Sequence, residues 1–259
     1  MTNIDPTARV SSNATIGAGS SIGPGCIIGD DVQIGKDTVI GPYCIIEGPT
    51  LIGESCKFTG YASIGSPPQD LKYKGGKTKL IIGDANTIRE FVTINRGTEH
   101  GGGITSIGCH NLIMAYCHVA HDCHLGDHIV MGNVATLAGH VQVDDHVIIG
   151  GLSAVHQFTR LGQYAMIGGG SMVSLDIIPY AMASGDRARL FGVNAIGLKR
   201  NGFNADVIKK IKKAYKILFK EGLILNDALN RLETEFSGVE EISRLVTFIR
   251  SSERGIARG

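Results

Sequence analysis

The chain contains no tryptophan, and aromatic residues make up only 6% of its 259 positions. Its interior must therefore be filled mainly by aliphatic side chains. Charged residues are 19% of the sequence, below the roughly 25% usual for soluble domains. The low charge leaves room for other copies of the chain to cover part of the surface. The formal net charge is only +1, so no global field recruits nucleic acid or a membrane surface. No apolar run approaches the roughly 20 residues of a transmembrane helix. The N-terminus enters a repeat at once and shows no signal peptide. Together these absences predict a cytoplasmic protein with no nucleic-acid partner and no stable membrane insertion. The six cysteines (Cys26, Cys44, Cys56, Cys109, Cys117 and Cys123) are accordingly expected as thiols.

What the chain has in abundance is a beat of six. An apolar residue recurs at every sixth position from Ile4 to Ile64, again from Ile82 to Ile94, and again from Ile107 to Val173, giving 26 matches in three runs. The next residue is often glycine, as in Gly17, Gly35, Gly53, Gly108 and Gly150. A period of six fits neither an amphipathic helix nor an alternating strand; it is the signature of a parallel β-helix. With the apolar residue as slot 1, glycine occupies slot 2, where its tolerance of unusual backbone angles suits a corner. Slot 5 is small or β-branched and holds every cysteine except Cys109, which predicts a packing role for those thiols. Three hexads close a triangular coil that rises by about 4.8 Å, and residues one coil apart should stack. Cys26 and Cys44 are such a pair, close enough to bridge under oxidation. Handedness does not follow from the spacing, since the usual crossover rule favours right-handed connections.

Two polar, glycine-rich segments interrupt the beat, at 65–81 and 95–106, and insertions in solenoids often form the binding face. The coil should occupy residues 1–185. In 186–259 the period becomes helical. One helix is expected from the N-cap Asn204 to the stop at Gly222, a second over 226–236 and a third over 237–250. They are placed to cover the open end of the solenoid. The first carries Lys209, Lys210 and Lys213 among six lysines, a candidate dock for an acidic partner protein.

Seven of the nine histidines lie between His118 and His156. The register gathers His118, His121, His140 and His156 along one edge over two coils. Two chemistries compete for such a cluster. One is a metal site, because imidazole is a common ligand; the other is proton transfer at a hydroxyl. The neighbouring Asp122 could orient His121 and favour its cationic form, which suits a general base.

These residues lie in segments that resemble the bacterial UDP-N-acetylglucosamine O-acyltransferase family. The matching segments are Gln69-Asp-Leu-Lys-Tyr73, Ile88-Arg-Glu90 with Arg96-Gly-Thr98, His118 to Cys123, Ala135-Thr-Leu-Ala-Gly-His140, Ala154-Val-His-Gln-Phe158, and Phe191-Gly-Val-Asn194 with Gly197-Leu-Lys-Arg200. The resemblance implies an all-β, left-handed parallel β-helix with a C-terminal α-helical domain, assembled as a homotrimer. It implies transfer of a 3-hydroxyacyl group from acyl carrier protein to the 3-hydroxyl of the sugar in UDP-N-acetylglucosamine, the first step of lipid A biosynthesis, with no metal and no other cofactor. His121 matches the general base, Asp122 its orienting partner, and Gly139 the N–H donor facing the oxyanion. Asp70, Lys72, His118, His140, His156 and Gln157 match residues that hold the sugar nucleotide or acyl chain. Asn194 and Arg200 match uridine- and phosphate-side contacts, and Gly169 the position that limits acyl length. Arg187, Ile196 and Asn201 depart from the commoner His, Glu and Arg at the nucleotide end.

Three other readings compete with this one. A related N-acyltransferase usually carries an extra N-terminal domain, whereas here the repeat begins at Ile4. A β-helix carbonic anhydrase would place three histidines on zinc. A purely structural solenoid gives no reason for the histidine cluster or the Gln69–Tyr73 loop.

Overall fold

The computed structural model describes residues 2–259. Each of the 26 slot-1 residues lies in its own short strand, from Asn3–Ile4 to Met172–Val173. The strands assemble into three parallel sheets, each joining every third strand. We call them the first, second and third faces, after Asn3–Ile4, Arg9–Val10 and Thr15–Ile16. Slot-1 residues stack in register, as in Ile28 on Ile46 and Leu137 on Val155. The register survives both interruptions: Phe58 pairs with Ile88, and Ile94 with Val119. The slot-1 stack therefore continues past both loops, with one register shift where they leave the prism, between Ile64 and Ser66. From Ile22 onward the slot-1 side chains are buried and form one continuous aliphatic core. The strands are two to four residues long, so this axial core, not strand length, supplies most of the stabilisation.

Between strands, slots 3 and 4 turn the chain, and these turns stack into three corners, named here by the face they follow. The left-handed backbone falls at slot 4, not at the slot-2 glycines, so the expected reason for those glycines is corrected. Slot 4 holds Asp122 (φ +58°), His128 (+57°), His140 (+62°) and Phe158 (+64°). Slot-2 glycines are needed for close approach instead: a Cβ on Gly35 would lie 2.5 Å from the carbonyl carbon of Gly53 in the next coil. Slot 5 is more than small. Ser20, Thr38, Cys26 and Cys123 each donate to a slot-2 carbonyl of the following coil, at 2.7, 2.9, 3.0 and 3.1 Å. That bond explains why Ser, Thr and Cys recur there. All six cysteines are free, and all but Cys109 are buried.

After Val173 an antiparallel hairpin, Ala181–Ser184 with Arg189–Val193, extends the first face. The expected boundary at residue 185 falls inside this hairpin. Four helices follow: α1 (Ala195–Arg200), α2 (Ala205–Phe219), α3 (Leu225–Glu235) and α4 (Glu240–Arg250). Asn204 caps α2 by accepting from the Val207 N–H at 2.9 Å. The short α1, capped in the same way by Asn194, has no apolar period long enough to announce it. Two of the three lysines expected as a dock are already paired, Lys210 with Asp206 and Lys213 with Glu235. Among the described residues no helix is long and apolar enough to cross a membrane.

Candidate active site

The second corner carries His121 and Asp122 in one coil, Gly139 and His140 in the next, and Gln157 and Phe158 in the third. The Asp122 side chain is fully buried, yet three donors reach its carboxylate. The Thr98 hydroxyl donates to Oδ2 at 2.6 Å and the Thr98 N–H to Oδ1 at 3.0 Å. His121 Nδ1 lies 2.8 Å from Oδ2. A carboxylate only accepts, so Nδ1 carries the proton and Nε2 presents a lone pair. His121 keeps 14% of its side chain exposed and so remains within reach of a substrate. His140 crosses it edge-on, with ring centroids 5.2 Å apart, and stacks on Phe158 at 4.5 Å.

Two glycines make this packing possible. A Cβ on Gly139 would lie 2.6 Å from His121 Cε1 and 2.9 Å from Nε2. The Gly139 N–H has no hydrogen-bond partner among the described residues. A Cβ on Gly101 would lie 2.2 Å from Asp122 Oδ2 and 2.6 Å from His140 Cε1. Thr98 and Gly101 are the site residues that periodicity missed. They belong to the second interruption, where there is no register to place them. The Thr98 of the matched Arg96-Gly-Thr98 segment was the available signal.

The first interruption reaches the same place through the second. Asp70 pairs with His100 Nε2 at 3.0 Å, and Arg96 donates to the Gly65 carbonyl at 2.8 Å. Hydrogen bonding from the Lys72 N–H holds the Asp70 carboxyl below the usual range, with His100 and His121 adding to the effect. The Lys72 side chain is exposed at the loop tip.

The four histidines expected on one edge divide. His118 lies on the second face with Nδ1 2.7 Å from the Thr93 hydroxyl. Burial pushes its pKa down, and the nearby His121 pushes it further. Burial also lowers His140. His140 faces a polar groove of about 630 Å³ lined also by Asp122, His124, Gln142, Phe158 and Arg160, and His121 lies behind its edge, against the His140 ring. His156 opens onto a second, more apolar groove of about 830 Å³, floored by Ala138, Ala154, Met172 and Leu175 and edged by Arg187 and Arg258. His124 sits on the third face against Ser106, and His128 and His146 stack on the third corner.

His121, Asp122 and His140 also bring three ligand-type atoms within 4.8 Å of one another. Asp122 Oδ2, however, already accepts from Thr98 and His121. His121 Nδ1, the nitrogen nearest it, is engaged as a donor. Among the described residues of one chain, this group holds His121 and His140 of the histidines weighed as ligands.

The chain as a whole has recognisable relatives. A protein from Thermodesulfovibrio yellowstonii named acyl-[acyl-carrier-protein]–UDP-N-acetylglucosamine O-acyltransferase is 55% identical over 82% of this chain and 83% of its own length. One of the same name from Halorhodospira halophila is 46% identical over 100% of both chains. The chain belongs to the UDP-N-acetylglucosamine O-acyltransferase family. A model of the family's second domain matches residues 176–257. The crystal structure of the Francisella novicida UDP-N-acetylglucosamine acyltransferase superposes with a TM-score of 0.96 at 39% identity, covering 99% of this chain and 94% of the other. The coil is thus the left-handed parallel β-helix of this family, followed by its C-terminal helices.

Other positions matched to the family stand away from His121. Asn194 is buried beside the third corner, where its amide donates to the Tyr164 carbonyl at 3.0 Å. Arg200 ends α1 and is exposed. Gly169 lies on the first corner, at the edge of the second face that carries the apolar groove, but does not line that groove. Gln157 is exposed on the second corner next to His156.

Proposed function

We propose that this chain transfers a 3-hydroxyacyl group from acyl carrier protein to the 3-hydroxyl of the sugar in UDP-N-acetylglucosamine, the first step of lipid A biosynthesis. The observation that carries the reading is the buried Asp122 holding Nδ1–H of His121 and leaving Nε2 free. His121 Nε2 takes the proton of the sugar hydroxyl as its oxygen attacks the thioester carbonyl. The Gly139 N–H donates to the oxyanion that forms. Collapse of the tetrahedral centre breaks the C–S bond, and the proton on His121 passes to the departing thiolate. Asp122 stabilises the transient imidazolium, as a carboxylate beside a histidine does in acyl-transfer triads. The neutral bias of His118 and His140 suits neighbours that must not repel that cation.

In this reading Asp70, Lys72, His140 and Gln157 hold the sugar nucleotide around the second corner. The apolar groove takes the acyl chain, and the length limit is assigned to Gly169 on the neighbouring first corner, as the family resemblance implies. Asn194 and Arg200 stand on a different corner from His121, which suits service to a neighbouring copy in the homotrimer that the family resemblance implies. The protein then works in the cytoplasm, where the carrier protein and nucleotide sugar are made.

The test is an assay of the purified protein with 3-hydroxyacyl carrier proteins of several lengths and with both 3-hydroxyl and 3-amino acceptor sugars. Ester formation on the hydroxyl sugar supports the reading. Amide formation on the amino sugar alone would move the acceptor, in keeping with the departures at Arg187, Ile196 and Asn201. Stoichiometric zinc with activity lost to chelators would overturn it. Gly169→Met should shift preference to shorter chains, and an unchanged chain profile would remove it as the length limit.

A further inference from the structure

After α4 the chain doubles back over the last coil. Asp176, fully buried, pins this returning segment. Its Oδ1 accepts from the Arg160 N–H at 2.8 Å and its Oδ2 from the Ser252 hydroxyl at 2.7 Å. Its backbone N–H donates to the Gly255 carbonyl at 3.0 Å, and its carbonyl accepts from the Ala257 N–H at 2.9 Å. The strap so fixed carries Arg254 onto the wall between the two grooves, where it lines both. Its Nε donates to the Ser174 carbonyl at 2.7 Å. One terminal guanidinium nitrogen lies 2.9 Å from His156 Nδ1.

A guanidinium has donors only and does not lose its proton in proteins. His156 Nδ1 must therefore accept, and the proton of the neutral ring must sit on Nε2. The same Nδ1 lies 3.1 Å from the Gln157 carbonyl, a contact that is a hydrogen bond only if Nδ1 is protonated. The two contacts demand opposite tautomers. The shorter one, with a donor that is always charged, decides between them. His121 is the mirror case: its Nδ1 faces a carboxylate, which places the proton on Nδ1.

We propose that Arg254 is a positioning residue that fixes His156 as the Nε2–H tautomer. His156 then donates a hydrogen bond to an acceptor oxygen of the substrate. The identity of that oxygen rests on the acyl-transfer reading; the tautomer assignment does not. The C-terminal strap thereby becomes part of the wall of the site.

The test uses the full chain labelled with ¹⁵N-histidine at about pH 8, where a histidine of ordinary pKa is neutral. His156→Asn identifies the His156 signals by their loss. The wild type should show the Nε2–H pattern. Arg254→Met should move it toward Nδ1–H as the Gln157 carbonyl takes over, and Arg254→Lys, which keeps a cationic donor, should retain the wild-type pattern. In the transfer assay Arg254→Met should raise the KM of one substrate about tenfold with kcat changed by less than about threefold, in line with one lost charge-assisted hydrogen bond. Arg254→Lys should recover part of that loss. A wild-type Nδ1–H pattern, or an Arg254→Met protein with unchanged tautomer and kinetics, would overturn the proposal. If Arg254→Met does not fold, loss of the Nε2–H pattern in Arg254→Lys overturns it. A wild type that transfers no acyl group sinks the functional reading while leaving the tautomer result standing.

Discussion

The second and third corners of the prism are built alike. Both put rings at slot 4 in a left-handed backbone, and both stack them coil on coil. His140 lies on Phe158 at one corner, and His110, His128, His146 and Tyr164 form a column at the other, with centroids 5.0, 4.7 and 4.5 Å apart. Both also carry aspartates. At the third corner Asp127 and Asp145 occupy slot 3, and their Oδ1 atoms accept from backbone N–H groups of the preceding coil at 2.6 and 2.8 Å. Those carboxylates are engaged in holding the stack. At the second corner the aspartate sits at slot 4, slot 3 of the next coil is glycine, and an inserted loop closes over both. A corner histidine thus becomes a candidate base only where, as for the slot-3 His121, a loop buries a carboxylate against it.

The largest effect should come from removing the base. His121→Ala should lower kcat by about 10³-fold, within the usual range for a lost general base, with the assembly intact by sedimentation. His128→Ala at the other corner should change kcat by less than about twofold. Comparable losses at both corners would erase the distinction between them. Next comes Gly139→Ala, whose methyl must displace the His121 ring. A misplacement of that order costs about 10²-fold in rate, and the crystal structure of the variant should show the imidazole moved. Thr98→Val removes one donor from a buried carboxylate and should cost about tenfold in kcat, given about 1.5 kcal/mol for a hydrogen bond to a charged group. A variant with full activity would show that the loop acts only as a cover.

A smaller effect is expected in stability against pH. Burial lowers His118 and His140 from the ordinary 6.5, so below that value the unfolded chain binds protons before the folded one. Their contribution is therefore unopposed above about pH 6.5 and turns destabilising as the pH falls toward their folded values. The Tm of the wild type should drop on acidification. The double variant His118→Gln, His140→Gln should have a flatter Tm profile between about pH 7 and 5, and an equally steep one would assign the acid sensitivity elsewhere. The smallest effect concerns α2. With Lys210 and Lys213 paired, Lys209 and Lys212 are the residues to reverse. Lys209→Glu with Lys212→Glu should raise the KM for the carrier protein a few-fold, as expected for exposed charges that steer association; an unchanged KM would mark them as solvated only.

The register of six made the prism, its three faces and the aliphatic core legible at single-residue resolution, because a strict repeat leaves one solution for what lies above what. It also placed His121 near His140, while Gly139 came only from the family resemblance. It misread the reason for the slot-2 glycines, since a close approach between coils and a left-handed angle select the same residue. It grouped His156 with the others because register gives height along an edge, not which groove a side chain enters. The hairpin at Ala181–Val193 and the helix α1 are too short to show a period. Thr98, Gly101 and Arg254 lie where the chain has left the repeat, and there contact depends on loop paths that no spacing encodes.

The continuity of the slot-1 stack across both loops has a practical consequence. Each coil meets the next through the same small set of backbone bonds and slot-1 contacts, so coil number and site content are separate design variables. Removing residues 19–36 as one unit would join Ala18 to Asp37 and leave the same kind of neighbours facing each other. The chain would lose height without changing the geometry around His121. An acyltransferase of this build can be shortened or lengthened like a ruler cut at its marks, provided the cut stays clear of the two loops and the C-terminal strap.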